Sequence, residues 1–423
     1  MFAGLNRNLY LRRGKSDANG MKRAFMIGSM LLLVLAMRAQ RVVVSGTVVD
    51  AETREPVAGA HVTMGNVAVV TNDDGFFTIK ADSQGELICS HLGYASRRLL
   101  PDEQTDSPLV IRLTPAPIQL GEVLVLGGDA RDLVLAAIGR IPVNYSRQPE
   151  LYHCFYREKV MKRQGYISVA EGVADMYKTD YRQSVRHDRT AIRKGRRLMS
   201  PKRGDTLTVK VMGGPNVAVQ LDVVKNTDIL LDEKELDRYN LKMEMPQAIG
   251  DRRQYVVSFE PCVTADYALY FGRLYIDQES LAFTRIELEL DMRDRNKATQ
   301  AILVRKPLGL LFRPKEVSFV IDYRTADDGL TRLSYVSSTI RFNCDWRRRL
   351  FATSFAAFCE MAVTSTSGGD VQPIKGRDSF DQRDLFYDKV DFFRDPTFWQ
   401  DYNIIEPSES LDKAIGRLLK NRK

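Results

Sequence analysis

Thr71–Lys80 reads TNDDGFFTIK, and the fold turns on this stretch. An amide and two carboxylates crowd in front of Gly75, and an aromatic and β-branched run follows. Short polar side chains satisfy backbone N–H groups in a tight turn, and glycine takes the positive φ that such a turn needs. Side chains alternate along a strand, so Phe77 and Ile79 share one face while Phe76, Thr78 and Lys80 share the other. The turn thus sets a register that buries Phe77 and leaves Lys80 to solvent. A calcium loop needs five or more oxygens at set offsets, which two adjacent carboxylates do not supply.

Working outward, Val42–Leu113 is a series of short strands separated by turn signals. VVVSGTVVD runs into the polar DAETREP, and VAGAHVTM into TNDDG. After FFTIK come ELICSHL, YASRRLL and PLVIRL. Six or seven strands in about 75 residues is the density of a sandwich or small barrel.

Gly46–Val62 (GTVVDAETREPVAGAHV), TNDDGFFTI and His91–Tyr94 (HLGY) together resemble the carboxypeptidase regulatory-like domain. The resemblance implies a seven-stranded transthyretin-like β-sandwich over residues 41–114, of the kind found at the front of Gram-negative envelope proteins. It does not bring the peptidase with it. His61, His91, His153 and His187 begin HVTM, HLGY, HCFY and HDRT. None has Glu three residues on, so the zinc motif HxxE is absent. GxSxG, P-loop and GxGxxG patterns are absent as well. The expectation is a protein that is not an enzyme, with no catalytic, cofactor-binding or metal-binding residue to nominate and no cofactor.

The N-terminus reads as an extension plus export signal over residues 1–40. Lys22 and Arg23 precede an apolar Phe25–Met37, the length of a signal-peptide core and short for a bilayer span. Met21 is the expected start, with cleavage beside Ala39. Residues 1–40 carry seven Lys/Arg against one Asp, so only +2 of the net charge of +8 belongs to the rest. The basic pI is then largely the export signal, and no nucleic-acid partner follows from it. Cys89, Cys154, Cys262, Cys344 and Cys359 are odd in number and never in a CxxC pair. That argues against a disulfide framework or zinc site, with one bridge left open.

Residues 115–130 form a linker, opened by prolines and closed by Gly127 and Gly128. Few contacts are expected to cross such punctuation, so the flanking regions should fold separately. Its middle, IQLGEVLVL, reads as a linker strand packed on its own chain, or as one recruited by a partner's sheet edge. The region 131–423 is β-rich. Asp129 caps a helix whose stripe is Leu133, Val134, Ala137, Ile138 and Ile141, with Pro142 near its end. Thr284, Ile286, Leu288 and Leu290 share one strand face; Val317, Phe319, Ile321 and Tyr323 share another. The fold class expected is mainly β: the sandwich plus a larger antiparallel sheet with a few flanking helices.

FYRE (Phe155–Glu158), YISVAEGVADMYK and DPTFWQDYNIIEPSESLDKAI (Asp395–Ile415) resemble a family of uncharacterised envelope proteins that pair the same two regions. GRLYID resembles the periplasmic half-barrel lipoprotein carriers more weakly. Tyr181–Arg203 holds nine Lys/Arg and one acid, Asp188. It reads as a solvated loop, with lipid phosphates or an acidic partner as the alternative. These signs point to an exported, non-catalytic scaffold or binding component in the periplasm or outer membrane, with an envelope protein or lipid as partner and association with the outer membrane. The alternatives are a small outer-membrane barrel, a half-barrel carrier of a hydrophobic ligand, and a hydrolase using unrecognised carboxylates. The helical, basic AIGRLLKNRK end argues against a barrel, which closes on an aromatic strand.

Overall fold

The computed structural model describes residues 41–101, 108–116, 129–202, 209–211, 213–346, 352–381, 384–392 and 398–420. The export signal and IQLGEVLVL lie outside them. The sandwich contains β1 (Val42–Asp50), β2 (His61–Met64), β3 (Val67–Val70), β4 (Phe76–Ala81), β5 (Leu87–Ser90), β6 (Arg97–Leu99) and β7 (Leu109–Leu113). One sheet has the order β4-β1-β7, with β1 and β7 parallel; the other runs β3-β2-β5-β6. Val48, Val62, Phe77, Ile79 and Leu87 are fully buried. β3 follows β2 through a turn at Gly65 and was not separable from β2 by pattern alone.

The Thr71–Lys80 turn forms as read, except for its last residue. Asn72 Oδ1 accepts from Asp74 N at 3.0 Å and Phe76 N at 2.9 Å. Gly75 has φ +72°, and a Cβ there would sit 2.4 Å from the Val48 carbonyl oxygen. Lys80, expected in solvent, is half-buried, and its Nζ donates to the carbonyls of Trp399 and Tyr402 at 2.9 Å each. Strand alternation says which face a side chain takes, not what packs on that face. Gly75→Val is expected to cost about 3 kcal/mol, from left-handed strain plus the clash with Val48. Lys80→Ala, a half-buried side chain, should cost about 1.5 kcal/mol, the lower end for a charged donor's bonds. Urea melts should place the Gly75→Val midpoint lower; equal midpoints would contradict this account of the turn.

The larger region opens with α1 (Ala130–Asn144), capped by Asp129. Its strands are β8 (Glu150–Lys162), β9 (Gly165–Lys178), β10 (Arg189–Met199), β11 (Lys210–Val211), β12 (Tyr239–Ile249), β13 (Arg252–Pro261), β14 (Tyr270–Asp277), β15 (Phe283–Leu290), β16 (Leu303–Arg305), β17 (Leu310–Thr325), β18 (Thr331–Trp346), β19 (Thr353–Ser367) and β20 (Asp391–Phe392). The shorter helices are α2 (Pro215–Gln220), α3 (Glu233–Leu236), α4 (Arg295–Ile302) and α5 (Phe386–Lys389), and the last helix is α6 (Glu409–Lys420). Pairing runs β12-β13-β14-β15-β17-β18-β19-β8-β9-β10, all antiparallel, with β20 added parallel to β10. Among the described residues β12 and β10 do not pair, so this curled sheet is open. A closed barrel would need those edges joined.

Alternation buries Ile286, Leu288, Leu290, Val317, Phe319, Ile321 and Tyr323 on the inner face, as expected. Val134, Ala137 and Ile141 of α1, with Val223, Val224, Leu230 and Leu231 of the segment between β11 and β12, join them in one core. Most of the apolar face is thus filled. No described helix is long and apolar enough to cross a membrane.

The sandwich and the large sheet are not separated by the linker's punctuation. Past the end of β18, Ser365 of β19 pairs with Val67 of β3. Gly93 N donates to Ala248 O at 2.8 Å, and His61 Nε2 lies 3.3 Å from Asp322 Oδ2. The C-terminal segment ties the two together: Asn403 Oδ1 accepts from Lys80 N at 2.7 Å, and Asn72 Nδ2 donates to Pro407 O at 3.0 Å. Proline and glycine describe the local chain; they carry no information on the faces its neighbours present.

Candidate functional site

The inner face is left open at one end. A cavity of about 340 Å³ lies there, lined by Ile167, Met199, Val211, Ala357, Leu385 and Phe386, with Glu158, Ser168, Lys210, Cys359, Tyr387 and Asp388 among its polar members. β8, β9, β10 and β19 form its floor; β11 and α5 form its sides. That volume falls at the low end of the range for small-ligand pockets, about 300–1,000 Å³. Glu158 Oε1 accepts from the Tyr156 hydroxyl and from Gly214 N, each at 2.7 Å. Burial raises the Glu158 carboxyl above its usual range, and those two donors only partly offset it. Burial also pushes the Cys359 thiol up to about 12, so it is no thiolate nucleophile at neutral pH.

The FYRE block straddles the sheet here. Tyr156 and Glu158 face the cavity, whereas Phe155 and Arg157 point to the outer face. There Phe155 meets Trp399 edge to face at 5.7 Å. Arg157, 1% exposed, donates to Glu171 Oε1 at 2.7 Å, to Glu360 Oε1 at 3.4 Å and to the Ile405 carbonyl at 2.6 Å. The two stretches singled out separately in sequence, Phe155–Glu158 and Asp395–Ile415, are therefore packing partners.

The basic Tyr181–Arg203 run is not a solvated loop. Eleven of its residues form β10, and several of its cations are partnered. Arg196 Nε donates to Glu171 Oε2 at 2.8 Å and lies over Trp399; Arg193 Nε donates to Asp175 Oδ2 at 2.6 Å; Lys194 Nζ donates to Phe398 O at 2.8 Å. The acids that neutralise them come from β9 in particular, spaced too far away to be matched from sequence.

A second charged group lies inside the core. Lys178 Nζ is 2.6 Å from Asp222 Oδ2 and 3.4 Å from Asp188 Oδ2, and Lys225 Nζ is 2.7 Å from Asp188 Oδ1. Tyr181 and Tyr323 donate to the two Asp222 oxygens at 3.0 and 2.9 Å. Two cations balance two anions with every carboxylate satisfied, the arrangement buried charge requires.

One constellation invites a catalytic reading that sequence did not suggest. Ser367 Oγ lies 3.3 Å from His153 Nε2, and His153 Nδ1 lies 2.9 Å from Asp175 Oδ1. That is the connectivity of a serine nucleophile, a base and an orienting acid. The His153 side chain is 40% exposed, and Arg193 shares Asp175. None of the three lines a described cavity. No local motif announces them, because three separate strand positions supply them. The remaining large groove, about 1190 Å³, lies on the outer face of β12–β15 and is edged by Lys242, Glu244, Arg273 and Glu289. No two of the five cysteines are bonded.

Residues 44–125 match the model of the CarboxypepD_reg-like domain, so the front of the chain is such a domain. Comparison with curated proteins returns no match. Among solved structures, a putative outer membrane lipoprotein-sorting protein domain from Vibrio parahaemolyticus is 9% identical, with 59% of this chain and 97% of that one covered at a TM-score of 0.27. A DUF1329 family protein from Desulfovibrio piger is 9% identical, covering 57% and 92% at 0.24. A LolA superfamily protein from Nitrosomonas europaea is 9% identical, covering 56% and 94% at 0.21. At such TM-scores the likeness carries no functional argument.

Proposed function

We propose that this is an exported, non-catalytic binding protein of the cell envelope, and that its end cavity takes a hydrophobic ligand of the acyl-chain class. The observation that carries the reading is the cavity itself: a largely apolar lining at one end of the sheet's inner face. Lys210 at its side offers a cation to an acidic headgroup. Export is supported by the Lys22–Ala39 pattern. The buried charge groups serve packing in this reading, since each is saturated by its own partners.

The test is uptake of cis-parinaric acid by the purified protein, followed by its fluorescence. Ala357→Trp fills the cavity and should weaken binding at least tenfold, a loss equivalent to one displaced apolar contact surface. Val211→Trp, on the opposite wall, should act alike should the first variant fold poorly. Unchanged uptake in a folded variant would sink the reading. The rival is hydrolysis at Ser367, favoured by its distance to His153. Release of nitrophenol from acyl esters by the protein, lost in Ser367→Ala, would replace binding with catalysis; neither variant nor wild type is expected to release it.

A further inference from the structure

We infer that the sheet end bearing this cavity docks onto an anionic lipid bilayer, through the turn between β16 and β17. The inference rests on the cavity reading, for it names the surface from which the ligand would enter.

β11, which walls the cavity, pairs with β16: Lys210 opposite Arg305 and Val211 opposite Leu303. β16 then runs into Lys306–Gly309, where Gly309 has φ +80° and turns the chain back into β17. The turn carries an unusual load. Leu308 is 98% exposed, Val304 62% and Leu311 38%. Single exposed aliphatics are ordinary on soluble proteins; three within eight residues, on one turn and the strand ends flanking it, are not.

The charges on and beside the turn itself, Arg305 and Lys306, are cations. Arg305 and Lys306 are exposed beside the leucine, and the Lys306 ammonium reaches only the Leu310 carbonyl, at 2.7 Å. Arg163, exposed in the β8–β9 turn, is fixed at the same end by its N–H to Ser354 O at 2.8 Å. Nearby acids in β17 and β18 are already engaged: Asp345 with Arg313 at 3.6 Å and Glu316 with Arg341 at 3.1 Å. An aliphatic tip flanked by unneutralised cations matches the bilayer interface, with leucine at the acyl boundary and cations on phosphates. A protein partner would call for a flatter patch with aromatic or arginine anchors in pockets. The turn Lys306–Gly309 itself holds no aromatic residue.

The experiment is co-sedimentation of the purified protein with vesicles of phosphatidylcholine, with and without phosphatidylglycerol. Binding is expected to the anionic vesicles and to weaken with salt. Leu308→Asp should lower it about tenfold, and Arg305→Glu/Lys306→Glu by a similar factor. Leu308 is almost wholly exposed, so its variant should keep the wild-type melting point and parinaric acid uptake. Phe271→Asp, an exposed apolar site on the outer face, should bind vesicles normally. Absence of vesicle binding, equal binding by the turn variants, or photo-crosslinking from position 308 to an envelope protein instead of lipid would overturn the docking. The cavity reading would survive those results if uptake persists. Vesicle binding without uptake would do the reverse, leaving docking intact and removing the ligand.

Discussion

Arg157→Met is expected to destabilise the folded chain by about 3–5 kcal/mol, the cost of breaking a buried pair from one side. The guanidinium bridges Glu171 of β9, Glu360 of β19 and the Ile405 carbonyl of the C-terminal segment. Burial opposes its charge, yet Glu171 and Glu360 hold it charged and raise its pKa above the usual arginine value. Without it, Glu171 keeps Arg196 at 2.8 Å and Glu360 keeps Lys159 at 3.2 Å, but Ile405 loses its buried donor. The same segment carries the contacts of Lys80 and Asn72, so its release should loosen the sandwich too. Urea denaturation should show the lower stability, and limited proteolysis should cut residues 398–420 first. Arg157→Lys should recover only part of the loss, because one ammonium cannot reach three divergent acceptors. A Met variant within about 1 kcal/mol of wild type, with the segment still protected, would refute this role.

Asp222→Asn should cost a similar 3–5 kcal/mol, for the substitution leaves Lys178 and Lys225 to share Asp188 in the core. Burial acts against the Lys178 charge, but Asp222 and Asp188 outweigh it and its pKa is raised. Lys225 goes the other way: burial, then the nearby Lys178 charge, lowers it. Removing one anion should push Lys225 further down. The double variant Lys178→Met/Asp222→Asn should cost less than the two singles together, and a cycle of melts would measure that coupling. An additive cycle would dissolve the quartet as a unit. The acid limb follows from Asp188, where burial raises the carboxyl but the two lysines win and lower it. Its contribution is present above the unfolded carboxylate range and is lost as pH falls through the depressed folded value. Acid titration of stability should therefore shift in Asp188→Asn.

Much of the chain was legible at the level of single elements. The Asp129 cap, the alternating faces of β15 and β17, and the Gly75 turn are local facts, set by which backbone conformations and side-chain periods those residues permit. The misreadings share one cause. Lys80 was sent to solvent and the Tyr181–Arg203 cations to a loop because their partners, Trp399, Tyr402, Glu171 and Asp175, lie on other elements. Ser367 and His153 went unnoticed for the same reason.

From sequence alone, then, came a transthyretin-like first domain, a second region of long antiparallel strands, and the absence of the zinc motif that the first domain's name suggests. The first rests on a motif resemblance and the last on residue spacing, while the strands rest on short-range sterics and periodicity, which ten or twenty residues suffice to express. Only the tertiary structure decided that, among the described residues, the two edges of the large sheet stay unpaired with each other, that core covers much of its inner face, and that the C-terminal segment binds sandwich to sheet. Those outcomes depend on which distant surfaces are complementary in shape and charge, and the charge pairs that select them, such as Arg157 with Glu360, join residues two hundred positions apart.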